Sequence, residues 1–158
     1  DVQLRHLLEQ GYVSTALRCS REPYGTPVPD AQGGIPAIIT EMILYSRPGV
    51  IEVLPAIPSS LRKGTVKGIL SRSFARINKL SWNLDEKKVA MTIISFKKQD
   101  ITLIARYGIE NISAPSGIIE NTGKGNADCF MHLPENTPVE IEMELGDHSP
   151  MDWISNVR

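Results

Sequence analysis

Cysteine is nearly absent: 158 residues hold two, Cys19 and Cys129. That excludes a disulfide-stapled scaffold, and without Cys-x-x-Cys spacing it excludes the common zinc arrangements, leaving a single Cys19–Cys129 disulfide as an open alternative. Histidine is equally thin. His6, His132 and His148 lie far apart with no His-x-x-x-His pair, so they read as ordinary surface or core residues. Aromatic residues are 6% of the chain (2 Trp, 4 Tyr, 3 Phe), which leaves little material for an aromatic binding platform. Trp82 falls at a core position of its pattern, whereas Trp153, near the end, has no assigned role. Neither charge sign is in excess. Seventeen basic against 18 acidic residues give a net charge of −1, so there is no basic stripe for nucleic acid or an anionic membrane. No apolar run reaches the 18 or so residues of a membrane-spanning helix. The chain begins at Asp1 with neither an initiator methionine nor a charged-then-apolar leader, so it is expected to be a piece of a longer protein.

What is present changes character near residue 50. Leu4, Leu7, Leu8 and then Gly11 or Tyr12 follow helical spacing, predicting an amphipathic helix over residues 2–11. A second helix is predicted over 36–46, with Ile38, Ile39, Met42, Ile43 and Tyr45 on its apolar face. Pro36 would occupy its first turn, and Arg47, Pro48 and Gly49 would end it. From Val50 onward short period-two runs predict strands over 50–54, 65–72, 75–82, 88–96, 101–107 and 139–145. Asn83 to Lys87 and Lys97 to Asp100 read as hairpin connections, and Ser113 to Asp128, rich in glycine and polar residues, as a long surface loop. In the last strand Val139, Ile141, Met143 and Leu145 alternate with Glu140, Glu142 and Glu144. The glutamates read as a solvated face rather than a carboxylate centre. The expected fold is α+β: a helical segment over 1–48 followed by an antiparallel β-sandwich over 49–158.

The densest cluster of chemically useful residues is Asp30-Ala31-Gln32-Gly33-Gly34, within a proline-rich stretch before the second helix. A carboxylate and an amide on a stiff loop, followed by glycines that admit close backbone approach, form a candidate site. The alternative is a turn cap with two packing glycines. Asn121-Thr122-Gly123-Lys124-Gly125 lacks the spacing of a phosphate-binding loop.

Three ordered motifs extend this reading. They are Ala37-Ile38-Ile39-Thr40-Glu41-Met42-Ile43-Leu44-Tyr45-Ser46, then Val53-Leu54-Pro55-Ala56-Ile57-Pro58, then Lys63-Gly64-Thr65-Val66-Lys67-Gly68-Ile69-Leu70. Together they resemble the C-terminal portion of glycoside hydrolase family 95, the α-L-fucosidase-like enzymes. The likeness is good over about 75 residues and looser beyond. It implies that residues 1–48 are the end of an (α/α)6 catalytic barrel, and that Asp30 assists the base of an inverting hydrolysis, with Gln32, Gly33 and Gly34 beside the substrate. The family's Asp-x-Asn-Phe-Gly-Gly is one residue longer than the segment here, so the resemblance carries the reaction class rather than the sugar. The general acid would lie upstream, and the 158 residues alone would be inactive.

The implied partner is a carbohydrate held by the missing barrel, with no cofactor or metal and no nucleic-acid or membrane partner. The implied location is periplasmic or secreted. The exposed face of the helices would pack on the sandwich, serve a homo-oligomer or stay poorly ordered. The rival expectation is a noncatalytic carbohydrate-binding or structural interaction module.

Overall fold

The computed structural model describes residues 29–120 and 125–147, with side chains from Gly34 onward. The helix predicted over 2–11, together with His6, Cys19, His148 and Trp153, lies outside the described residues. The chain divides into two compact units at Thr40/Glu41.

Helix α1 spans Pro29–Ile43 and is followed at once by strand β1, Leu44–Arg47. The predicted helix over 36–46 is therefore displaced. Pro36 lies inside α1 rather than in its first turn, where its missing N–H leaves the Gln32 carbonyl without a helical donor. The Thr40 hydroxyl donates to the Pro36 carbonyl at 2.8 Å. Tyr45 and Ser46 belong to a strand because sheet pairing outweighs local periodicity: Leu44 to Arg47 pair with Val53 to Val50 of β2 (Val50–Val53) around Pro48-Gly49. Gly49 supplies the left-handed φ of 76° that this tight turn requires.

The end of α1 is closed by the returning chain. The Leu54 N–H donates to the Ile43 carbonyl at 2.8 Å, and the Ala56 N–H to the Met42 carbonyl at 3.2 Å. Two acceptors that a helix C-terminus leaves open are thus satisfied. Leu54 turns this corner with φ 53° and is fully buried. The burial of its side chain offsets a strained backbone.

The remaining strands are β3 (Lys63–Val66), β4 (Ile69–Ser71), β5 (Ala75–Asn83), β6 (Lys88–Ser95), β7 (Gln99–Ser113), β8 (Ile119–Glu120), β9 (Asn126–Leu133) and β10 (Pro138–Leu145). They form one curled sheet in the order β1-β2-β7-β10-β6-β5-β3, with β4 paired to β5, β9 to β7, and β8 to β9. The protein is thus mostly β-strand with one described helix. All pairs are antiparallel except β2 with β7, which is parallel and departs from the all-antiparallel expectation.

Four other expectations change. The strand predicted over 65–72 is two strands, split at Gly68, whose φ is 77° and whose N–H turns back to the Ile77 carbonyl. The strand predicted over 101–107 runs from Gln99 to Ser113. Its partners change around Gly108, φ 80°: the first half pairs with β2 and β9, and Ile109 to Ser113 pair with β10, while Ile109 also faces Asn126 of β9. Lys97 to Asp100 is not a hairpin, because β10 lies between β6 and β7. The predicted loop over 113–128 contains β8 and the start of β9.

Alternation fills the core. Ile77, Leu80, Met91, Ile93, Ile101, Leu103, Met131 and Ile141 are buried on the inward face of the curl. Trp82 is buried as predicted, and its indole N–H donates to the Leu61 carbonyl at 2.9 Å. Cys129 is a buried free thiol, and Cys19, the other half of the disulfide alternative, lies outside the described residues. Burial and the neighbouring Asp128 push the Cys129 pKa up to about 11, so it remains an unreactive thiol at neutral pH.

Candidate functional site

Asp30 and Gln32 stand in the first turn of α1, not on a loop. Their side chains, and residue Gly33 beyond its helical backbone, lie outside the description. Gly34 is an exposed helical residue, and a Cβ placed there meets no atom within 4 Å.

Two polar regions of the sheet remain. The first is the outer face of β5, β6, β10 and β7, where strand register builds two cross-strand rows: Ser81-Ala90-Glu142-Ser113 and Asn83-Lys88-Glu144-Asn111. They line an open groove of ≈ 530 Å³. Glu140, Glu142 and Glu144 are all exposed, as their alternation predicts. They bear no hydrogen bond among the described residues, and no exposed aromatic side chain lies in these rows. This is a solvated sheet face.

The second region is built by β7, β8 and β9, and its chemistry is denser. Along β9 the residues alternate strictly: Cys129, Met131 and Leu133 are buried, while Asn126, Asp128, Phe130 and His132 turn outward. Register then places partners beside them. Asp100 of β7 faces His132, and Thr102 faces Phe130, which has Glu120 of β8 on its other side.

His132 is the hub of this region. Its Nδ1 lies 2.7 Å from an Asp100 oxygen and its Nε2 3.1 Å from a Glu120 oxygen. A neutral imidazole has one N–H, so it can donate to only one of the two carboxylates; the imidazolium donates to both. The Asp100 hydrogen bond, assisted by that of Glu120 and by both negative charges, accordingly raises the His132 pKa above its ordinary value. Below this point β8 is anchored to β9 by a side-chain bridge as well as by its two-residue ladder and the His132 N–H to Ile118 carbonyl bond at 2.7 Å. The two carboxylates sit at opposite nitrogens of the ring and do not converge. Among the described residues, no group of three or more His, Cys, Asp or Glu is placed to hold a metal ion.

Beside this bridge is a pocket of ≈ 450 Å³ lined by Thr102, Glu120, Asn126, Asp128, Cys129 and Phe130. Phe130 is 40% exposed, and its ring meets His132 edge-to-face at 5.4 Å and 84°. The Thr102, Asn126 and Asp128 side chains have no hydrogen-bond partner among the described residues. The arrangement is an apolar ring framed by a hydroxyl, an amide and carboxylates, with the Glu120 carboxylate oriented by His132.

Sequence reasoning missed this region because it treated the three histidines singly and ended its loop at Asp128. The available signal was the alternation from Asn126 to Leu133, which separates four outward polar or aromatic residues from inward Ala127, Cys129, Met131 and Leu133. No known protein family matches the chain, and no curated protein is significantly similar to it.

Proposed function

We propose that this chain is the C-terminal part of a glycoside hydrolase of the family 95 type. In this reading α1 belongs to the end of an (α/α)6 barrel, the sheet is the terminal β-sandwich, and the parent acts outside the cytoplasm on oligo- or polysaccharides. Asp30 assists the base that activates water, Gln32, Gly33 and Gly34 approach the sugar, and the general acid comes from upstream. The isolated 158 residues do not turn over substrate.

The observation that carries the reading is the order of the three motifs along one continuous passage of chain. The first motif supplies the end of α1 and β1. The second supplies the return whose Leu54 and Ala56 amides close that helix. The third supplies β3, where Gly64 lies against the Trp82 ring. Each motif thus has a physical task that its residue types suit. Asp30→Asn in the polypeptide extended through the barrel is expected to lower hydrolysis of aryl glycosides by orders of magnitude with nearly unchanged thermal stability. Unaltered turnover refutes the assignment.

A carbohydrate-binding module without catalysis is the second reading. It is favoured by one observation, the exposed Phe130 ring with polar side chains around it.

A further inference from the structure

We infer that the pocket over Phe130 is a binding site for a neutral pyranose, distinct from the Asp30 segment and carried by the sheet itself. The inference rests on the carbohydrate-binding reading above and names its site and ligand; its residues are independent only of the Asp30 assignment.

The ligand follows from the groups present. An exposed phenyl ring is an apolar surface of the right size for the C–H face of a sugar ring; Phe130 is 40% exposed, and among the described residues its aromatic neighbour is the edge-on His132. Around it stand both kinds of hydrogen-bonding group. Thr102 and Asn126 can donate, and Asp128 and Glu120 accept. A sugar hydroxyl both donates and accepts, so it satisfies each of them. An ammonium ion would leave the Asn126 amide hydrogens unmatched.

Among the described residues, Asp100, Glu120 and Asp128 gather around one cationic group, His132, which disfavours an anionic ligand. An apolar ligand would strand the same polar side chains without partners. When His132 is protonated, its bridge holds the Glu120 carboxylate at the edge of the pocket, which reduces the ordering that binding must impose on it. The wider groove over β5, β6, β10 and β7 has no exposed ring, and it serves as the internal control.

The test is calorimetric titration of the chain with neutral hexasaccharides of glucose, mannose, galactose and xylose, and with an oligogalacturonate. The expected result is binding of at least one neutral probe and none of the uronate. The expected loss is about tenfold or more in Phe130→Ala and in Asp128→Asn, with no change in Glu142→Ala. Circular dichroism and the thermal midpoint should be nearly unaltered in all three variants, because each residue is exposed. The inference is overturned if no neutral probe binds at millimolar concentration, if the uronate binds as well as the neutral sugars, or if Phe130→Ala binds like the unmodified chain. These results are separable from the fate of the glycosidase reading, which stands or falls on the turnover of Asp30→Asn in the extended polypeptide.

Discussion

Replacing Gly64 with alanine should destabilise the sheet through one identifiable contact. A Cβ built on Gly64 would lie 2.3 Å from Cζ2, 2.6 Å from Cη2 and 2.9 Å from Cε2 of Trp82, closer than real methyl carbons approach an aromatic ring. The ring cannot simply retreat, because it is 6% exposed and its N–H is bonded to the Leu61 carbonyl at 2.9 Å. Retreat of β3 instead would disturb the register that joins Lys63–Val66 to Leu80–Asn83. Overpacking of this kind costs about 1–3 kcal/mol, and the rigidity on both sides places it near the upper end. The entropy alanine removes from the unfolded chain returns about 0.4–1 kcal/mol. A net loss of about 2 kcal/mol lowers the thermal midpoint by roughly 4–8 °C. The decisive comparison is a double-mutant cycle followed by calorimetry or far-ultraviolet circular dichroism. Trp82→Phe removes the outer indole atoms that the new methyl would strike. In that background Gly64→Ala should cost almost nothing, giving a coupling of about 2 kcal/mol between the two positions. An equal loss in both backgrounds refutes the clash, since it would place the cost in the backbone of residue 64 rather than against the ring.

Glu52 is a buried carboxylate held by Arg106 through two contacts, Nε to Oε1 and, at 3.3 Å, Nη2 to Oε2. Arg106→Ala leaves that carboxylate without its cation. It should destabilise the chain by about 3 kcal/mol in urea denaturation, because an unpaired buried charge is expensive; Glu52→Gln combined with Arg106→Ala should recover part of the loss. Cys129 is expected to resist alkylation at pH 8 until denaturant is added, consistent with a thiol whose pKa is raised to about 11; rapid labelling of the native chain would contradict its burial. For His132 the folded pKa is raised above the unfolded value, so its stabilisation is fully present below that unfolded value, ~6.5. It is lost as pH rises through the folded pKa. Urea midpoints of the unmodified chain should therefore fall relative to those of His132→Asn as pH climbs from about 6 to about 8, and a constant difference would exclude the imidazolium bridge.

The parts of the fold legible in the sequence are those where one local signal dominates. The last strand is such a case: four apolar residues alternating with three glutamates define β10 and both of its faces, and a continuous ladder to β6 leaves nothing to overrule them. The end of α1 is the opposite case. Residues Leu44 to Ser46 continue a helical apolar pattern, but the same residues have a better arrangement available as a strand against Val53 to Ile51, an arrangement visible only once the turn at Gly49 is formed. Gly108 is similar, since a glycine within a strand-like run signals a corner without saying which strands lie on either side of it.

The His132 bridge was out of reach for a different reason. Its three residues are 32 and 12 positions apart in sequence, and only the register of β7, β9 and β8 brings them together. Nothing in the composition or spacing of three scattered histidines anticipates an imidazole held between two carboxylates. The pocket beside it inherits the same origin. Asp128 and Phe130 are placed by alternation along one strand, which a sequence can display, whereas Thr102 and Glu120 are placed by neighbouring strands, which it cannot. Phe74 and Phe96 are more exposed than Phe130, so the informative feature is the set of Thr102, Asn126 and Asp128 side chains around the Phe130 ring rather than its exposure. Alternation alone places a large apolar ring on the solvated face of β9, at a cost in stability that a purely structural strand could avoid with a threonine or a lysine. Retaining a ring there makes physical sense when something polar outside and apolar in face comes to cover it.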